Sequence, residues 1–188
     1  LGGRCMLEWK IIEHCSPTLA GLKTANIFNY RFSSTDSLLE EIQAENQKLN
    51  QKGVFIEVLK IKDTQVLLYV YRKKRLESDL KKDEVKTLLF RYGYKSEEME
   101  NCLLELKTRL SESNDFPHEI GLFLSYPLED VIGFIEQEGK NYKCRGLWKV
   151  YCNECETIKL FARFKKCTAV YRKLFTNGRS ITQLTVAA

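Results

Sequence analysis

Apolar positions in this chain change spacing several times, and each change marks an element. Residues 7–14 mix apolar and polar positions in a way that fits a short helix or a strand. Ser16-Pro17-Thr18 is a helix-start signature, a hydroxyl cap followed by proline in the first turn, and predicts a short helix to about Lys23. Ala25 to Phe32 reads as a strand. Ser34-Thr35-Asp36 caps a helix to about Gln51, with Leu38, Leu39, Ile42 and Leu49 as its apolar positions and Gly53 as its stop. Val54 to Ile61 and Gln65 to Arg72 are two β-rich runs around a short loop at 62–64, which is a hairpin pattern.

Helical spacing returns over 77–91 and 96–112, split by Tyr92-Gly93-Tyr94. Glu119 to Ser125 predicts a short apolar strand. Pro127 then opens a helix with Leu128, Val131, Ile132 and Ile135 on one side, ended by Gly139. Lys143 to Tyr151 predicts another strand. A long helix over 154–176 follows, with Ile158, Phe161, Phe164, Tyr171 and Leu174 inward and Asn177-Gly178 as its stop. Ile181 to Val186 reads as a final strand. Strands interleave with helices, and the hairpin makes the sheet mixed. The expected fold is α+β (or α/β), one compact domain with a mixed sheet of about six strands packed against helices. Residues 1–5 read as an N-terminal extension before Met6, and 6–188 as a single globular domain.

Composition narrows the class. Of 188 residues, 44% are hydrophobic and 29% charged, enough for a core and a solvated surface and not the balance of a disordered chain. The longest apolar run is Val66 to Tyr71, too short for a membrane span. No cationic start leads into an apolar stretch, so no secretion signal is expected. Seven cysteines without framework spacing then fit free thiols in a reducing cytoplasm. The net charge of +5 is uneven: residues 140–179 hold eleven Lys and Arg against two Glu. A basic face there suits nucleic acid or an acidic redox partner, or is simply a solvated helix.

Candidate chemistry falls in four places. In 14–23, Cys15 stands just before the expected helix start, where the positive end of the dipole favours thiolate, with His14 and Lys23 adding charge and Thr18 adding a hydroxyl. The same geometry offers backbone N–H groups to an anion, and capping with a buried structural thiol is the plain alternative. In 116–130, His118 and Glu119 precede Tyr126-Pro127-Leu128-Glu129-Asp130. His14, Cys15, His118 and Glu119 form a weak set of mixed metal ligands, far apart in sequence. Cys152-Asn153-Glu154-Cys155 is a lone CxxC, a redox pair or half of a zinc site only with more support than it has. The basic 140–179 stretch interleaves Tyr142, Trp148, Tyr151, Phe161, Phe164 and Tyr171, but their helical spacing reads as core. No P-loop, dinucleotide fingerprint, nucleophile elbow or HExxH is found.

The segments His14–Lys23, Phe116–Val131 and Gly178-Arg179-Ser180-Ile181, with Trp148-Lys149-Val150-Tyr151, resemble a bacterial family, mainly of Firmicutes, known as domain of unknown function 3793. The resemblance covers 6–188. It implies no activity, cofactor or metal. It marks His14, Cys15, Pro17, Lys23, His118, Glu119, Tyr126, Pro127, Glu129, Asp130, Trp148 and Arg179 as family-like, and leaves Cys152 and Cys155 outside the pattern. Ser125 stands where the family suggests glycine, which predicts that this position need not be left-handed.

The leading expectation is a small cytoplasmic protein that binds a small ligand, an anion or a cofactor. Its pocket would lie between 14–23 and 116–130, with Cys15 and His118 facing it. Lys23, Thr18, Glu119, Tyr126 and Arg179 would be available to the ligand. The alternatives are a thiol-dependent enzyme with Cys15 as nucleophile and a histidine as base, and a docking protein using the basic 140–179 face.

Overall fold

The computed structural model describes residues 6–113 and 115–187; the expected extension over 1–5 lies outside them. The chain divides into two compact units, Leu1–Arg75 with Lys166–Ala188, and Leu76–Lys165.

The first unit holds α1 (Met6–Leu19), β1 (Ala25–Arg31), α2 (Thr35–Leu49), β2 (Val54–Lys62), β3 (Gln65–Arg72) and α9 (Ile181–Leu184), with parts of α3 (Lys73–Leu80) and α8 (Glu154–Thr176). Its sheet is antiparallel in the order β1-β3-β2. The all-apolar run Val66–Tyr71 is the middle strand, buried along its length as a run with no polar alternation should be. The expected hairpin is β2–β3, with Asp63 in the left-handed region closing its turn (φ 53°). Ser34 caps α2 by accepting from the Ser37 N–H, and Gly53 (φ 76°) ends the single 3₁₀ turn that follows α2. The core packs Leu7, Ile11, Ile12, Cys15 and Leu19 of α1 against Phe28, Tyr30, Leu38, Ile56, Leu68 and Val70, with Phe175, Ile181 and Leu184 from the C-terminal end.

The second unit holds α4 (Asp83–Arg91), α5 (Met99–Glu112), α6 (Ile120–Phe123), α7 (Leu128–Glu136) and the two-stranded hairpin β4 (Cys144–Arg145) with β5 (Lys149–Val150). It also takes the remainder of α3 and the first half of α8.

Among the described residues helix dominates, and the sheets have three and two strands rather than about six in one. Local expectations change accordingly. The 119–125 run is a helical turn, α6: Leu124 and Tyr126 bond back to the carbonyls of Ile120 and Gly121. A short apolar run has no periodicity to separate a strand from a buried helical turn. Ser125 is left-handed (φ 55°), so the position does need the conformation for which glycine is suited. The 143–151 strand folds back on itself at Gly146-Leu147 as β4–β5. Residues 181–184 form α9, where Ser180 and Gln183 make a reciprocal capping box, an S-x-x-Q signal that outweighs the β-branched residues. On α8, Phe164 and Phe175 are buried, whereas Ile158 and Leu174 face solvent.

Candidate functional site

The concave site of the second unit is a cavity of about 500 Å³. One wall is the 115–121 segment entering α6, a second is α7 through Val131 and Phe134, and a third is the β4–β5 hairpin from Arg145 to Lys149. Two glycines bring these walls together. A Cβ on Gly121 would lie 2.8 Å from the Val131 Cγ2 and 3.1 Å from the Tyr126 ring, so α6 and α7 approach through its bare backbone. A Cβ on Gly146 would run into the Phe161 ring, so the hairpin rests on α8 at that point.

Trp148 is the centre of the wall. Its ring stacks on Tyr126 (centroids 4.5 Å) and meets Phe161 edge-on (4.4 Å). The side chain is buried and its indole N–H donates to Asp130 Oδ2 at 2.8 Å. Asp130, only 2% exposed, also accepts the Tyr151 and Cys152 backbone N–H groups on Oδ1, at 2.7 and 3.1 Å. This one carboxylate ties α7 to the indole and to the chain that leaves β5. Burial raises the Tyr126 phenol to about 12, so it is neutral in the physiological range.

The mouth is basic and apolar together. Lys149 Nζ donates to the Gly139 carbonyl (2.7 Å) and lies 5.5 and 5.2 Å from the Phe134 and Tyr142 ring centres. Arg145 and His118 are exposed, and the His118 ring meets Phe134 edge-on at 5.3 Å. Phe116 and Leu147 are also exposed at the mouth.

Beside it, Glu119 is fully buried rather than open to a ligand. Its Oε1 accepts Arg109 Nε (2.6 Å) and the Tyr94 hydroxyl (3.2 Å), while Arg109 also donates to the Tyr92 carbonyl. Burial and this carboxylate together raise the Tyr94 phenol. Among the described residues, no group of three or more His, Cys, Asp or Glu could hold a metal ion.

The family described as "Protein of unknown function (DUF3793)" matches residues 11–185. The chain belongs to this family. No curated protein and no solved structure matches it.

In this DUF3793 chain the 14–23 segment is the end of a helix, not its start. The apolar stripe of α1 runs on through Cys15 and Leu19, and this burial overrides the Ser-Pro-Thr signature. The helix closes as Leu22 and Lys23 N–H groups reach the Pro17 carbonyl and Gly21 turns left-handed (φ 72°). Cys15 therefore sits near the negative end of the dipole, which reverses the sign of the expected activation. It is fully buried in the first unit's core, and burial pushes its thiol far up. Thr18 donates to Asn26 Oδ1 (2.7 Å). Lys23 is 5% exposed and burial lowers it to about 8. His14 stacks on Phe28 at 5.2 Å, and burial lowers its pKa. Arg179 lies exposed in the turn after α8.

The residue behind this motif is Arg72, which periodicity did not single out. Only 2% exposed, it donates Nε to the Thr18 carbonyl (2.6 Å) and Nη2 to those of Leu19 (2.6 Å) and Val186 (2.8 Å). The rigid guanidinium fork adds a charged donor to the Thr18 and Leu19 carbonyls at the end of α1, which also accept the Gly21 and Val186 N–H groups, and ties them to the Val186 carbonyl.

In the lone CxxC, Cys152 faces Asp130 and is raised to about 11 by burial and that carboxylate, while Cys155 is exposed on α8. The setting of Cys152 is not that of a lowered, redox-active thiol. Of the aromatic residues in the basic stretch, Trp148, Phe164 and Phe175 are buried.

Proposed function

We propose that this protein binds a small molecule with an apolar, ring-containing body in the cavity of the second unit. The observation that carries this reading is the rim. Phe116 and Leu147, 48% and 55% exposed, stand at the mouth of a cavity whose walls are Ile120, Tyr126, Val131, Phe134 and Trp148. Exposed apolar side chains cost free energy in water, and their grouping around an apolar hollow is a common setting for ligand burial. The volume of about 500 Å³ lies within the range that takes a drug-sized molecule.

The same walls favour binding over catalysis. Asp130, which borders the cavity, is engaged by an indole and two backbone amides, so it is not poised to move a proton. A thiol enzyme built on Cys15 has the burial of that side chain against it.

The test is a fluorescence titration with anilinonaphthalene, an uncharged probe that brightens in apolar sites. The expected result is saturable brightening at one probe per chain, lost in the double variant Phe116→Ser, Leu147→Ser. Those residues are exposed, so the fold survives their replacement. Absence of saturable binding, or binding that the double variant leaves unchanged, overturns the reading.

A further inference from the structure

The mouth of this cavity adds a chemical constraint that its walls do not. We infer that the ligand carries an oxyanion, a carboxylate, sulfonate or phosphate, received by Arg145 and Lys149 with His118 beside them. This rests on the cavity being the binding site.

Three observations carry it. Lys149 is placed in advance: the Gly139 carbonyl takes one of its donors and the Phe134 and Tyr142 rings flank it, while further ammonium N–H groups remain. Among the described residues, no carboxylate forms an ion pair with Lys149 or Arg145, although Lys10, Lys48, Lys82, Lys86 and Lys159 all have one. Arg145 stands exposed on the same hairpin, three residues from the indole, and presents a planar fork suited to an oxyanion.

The opposing acids are few. Asp130 borders the cavity but has both oxygens engaged, by Trp148 on one and the Tyr151 and Cys152 amides on the other. Asp115, exposed at the mouth, is the acid that works against an anion there. An apolar body held by the walls then places its charged end at the two cations. The occupant is an amphipathic aromatic acid rather than a neutral hydrocarbon or an amine.

The experiment compares anilinonaphthalene with its sulfonate, which differ by the anionic group alone, on the full chain. The sulfonate is expected to bind about tenfold more tightly at low salt, the scale of one charge-assisted hydrogen bond. Arg145→Gln should remove most of that advantage. Lys149→Gln should do the same and Lys149→Arg should restore it, while Asp115→Asn should tighten the sulfonate alone. Arg145 is exposed, so its variant keeps the test clear of folding defects.

Equal affinity for the two probes, or a preference for the neutral one, overturns the oxyanion and leaves the cavity reading intact. A sulfonate preference that neither Arg145→Gln nor Lys149→Gln reduces overturns it too, because the anion is then held elsewhere. Failure of both probes to bind removes the oxyanion together with the cavity reading.

Discussion

Asp130 is the most exposed point of this account to experiment. Replacing it by alanine leaves the Trp148 indole N–H and the Tyr151 and Cys152 backbone N–H groups without their acceptor. A buried donor left unmatched costs about 1–3 kcal/mol. The indole is the most buried of the three, and Cys152, half-exposed, can turn to water. Release from burying a carboxylate offsets part of the loss, so Asp130→Ala should destabilise by about 3 kcal/mol. Asp130→Asn separates the contributions. Its carbonyl can still accept the Tyr151 and Cys152 amides, but its NH₂ then faces the indole N–H, donor against donor. One orphaned donor sets its cost at about 1–2 kcal/mol. Urea unfolding gives both numbers. Tryptophan emission, read in a Trp9→Phe background so that Trp148 alone reports, should shift to the red in both variants. If Asp130→Asn lies within about 0.5 kcal/mol of the parent and leaves the emission unchanged, the carboxylate does not hold the indole and the derivation is wrong.

Arg72, the cysteines and Lys23 give further outcomes. Arg72→Met should destabilise by about 1.5–3 kcal/mol because the buried Thr18 and Leu19 carbonyls and the Val186 carbonyl lose a charged donor, and Arg72→Lys should not restore it, lacking the fork; full rescue by lysine in thermal unfolding would refute this. In alkylation followed by peptide mass spectrometry, exposed Cys155 should react early and buried Cys15 last among the described cysteines; early labelling of Cys15 in the folded protein would contradict its burial. Lys23 is held at about 8 against an ordinary 10.5, so between those values the unfolded chain binds more protons there, and this residue's contribution to stability rises with pH. Cys15 acts oppositely above its ordinary 9.0, because the folded thiol keeps a proton that the unfolded one loses. The stability difference between wild type and Lys23→Met should therefore move in favour of wild type from pH 8, and Cys15→Ala should remove a loss that begins near pH 9; flat differences across pH 8–10 would contradict both.

Much of the architecture was legible where local chemistry and burial agree. The Ser34 cap, the Gly53 stop, the 62–64 turn and the span of α8 all follow from short-range signals. The errors occur where a short apolar run lacks a period, as at 119–125, or where burial overrides a cap signature, as at Ser16-Pro17-Thr18. The motif-like look of 14–23 was real, but its cause is a helix end fitted to Arg72, more than fifty residues on and out of reach of any local pattern. Tyr126 and His118 of the 116–130 block border a cavity, and Asp130 accepts the Trp148 indole N–H. In the sequence Arg145 stands only in a basic stretch, and Lys149 there and in the Trp148-Lys149-Val150-Tyr151 segment. Their joint position depends on the hairpin that replaced the expected strand.

The central claim is that the cavity between α6, α7 and the β4–β5 hairpin holds a small apolar ligand, and amide NMR of the isotope-labelled chain titrated with anilinonaphthalene tests it most directly. The account predicts that the largest shifts fall on Ile120, Gly121, Val131, Phe134, Gly146 and Leu147, together with the Trp148 indole N–H, and saturate together. Shifts concentrated elsewhere, or none at saturating probe, would contradict it.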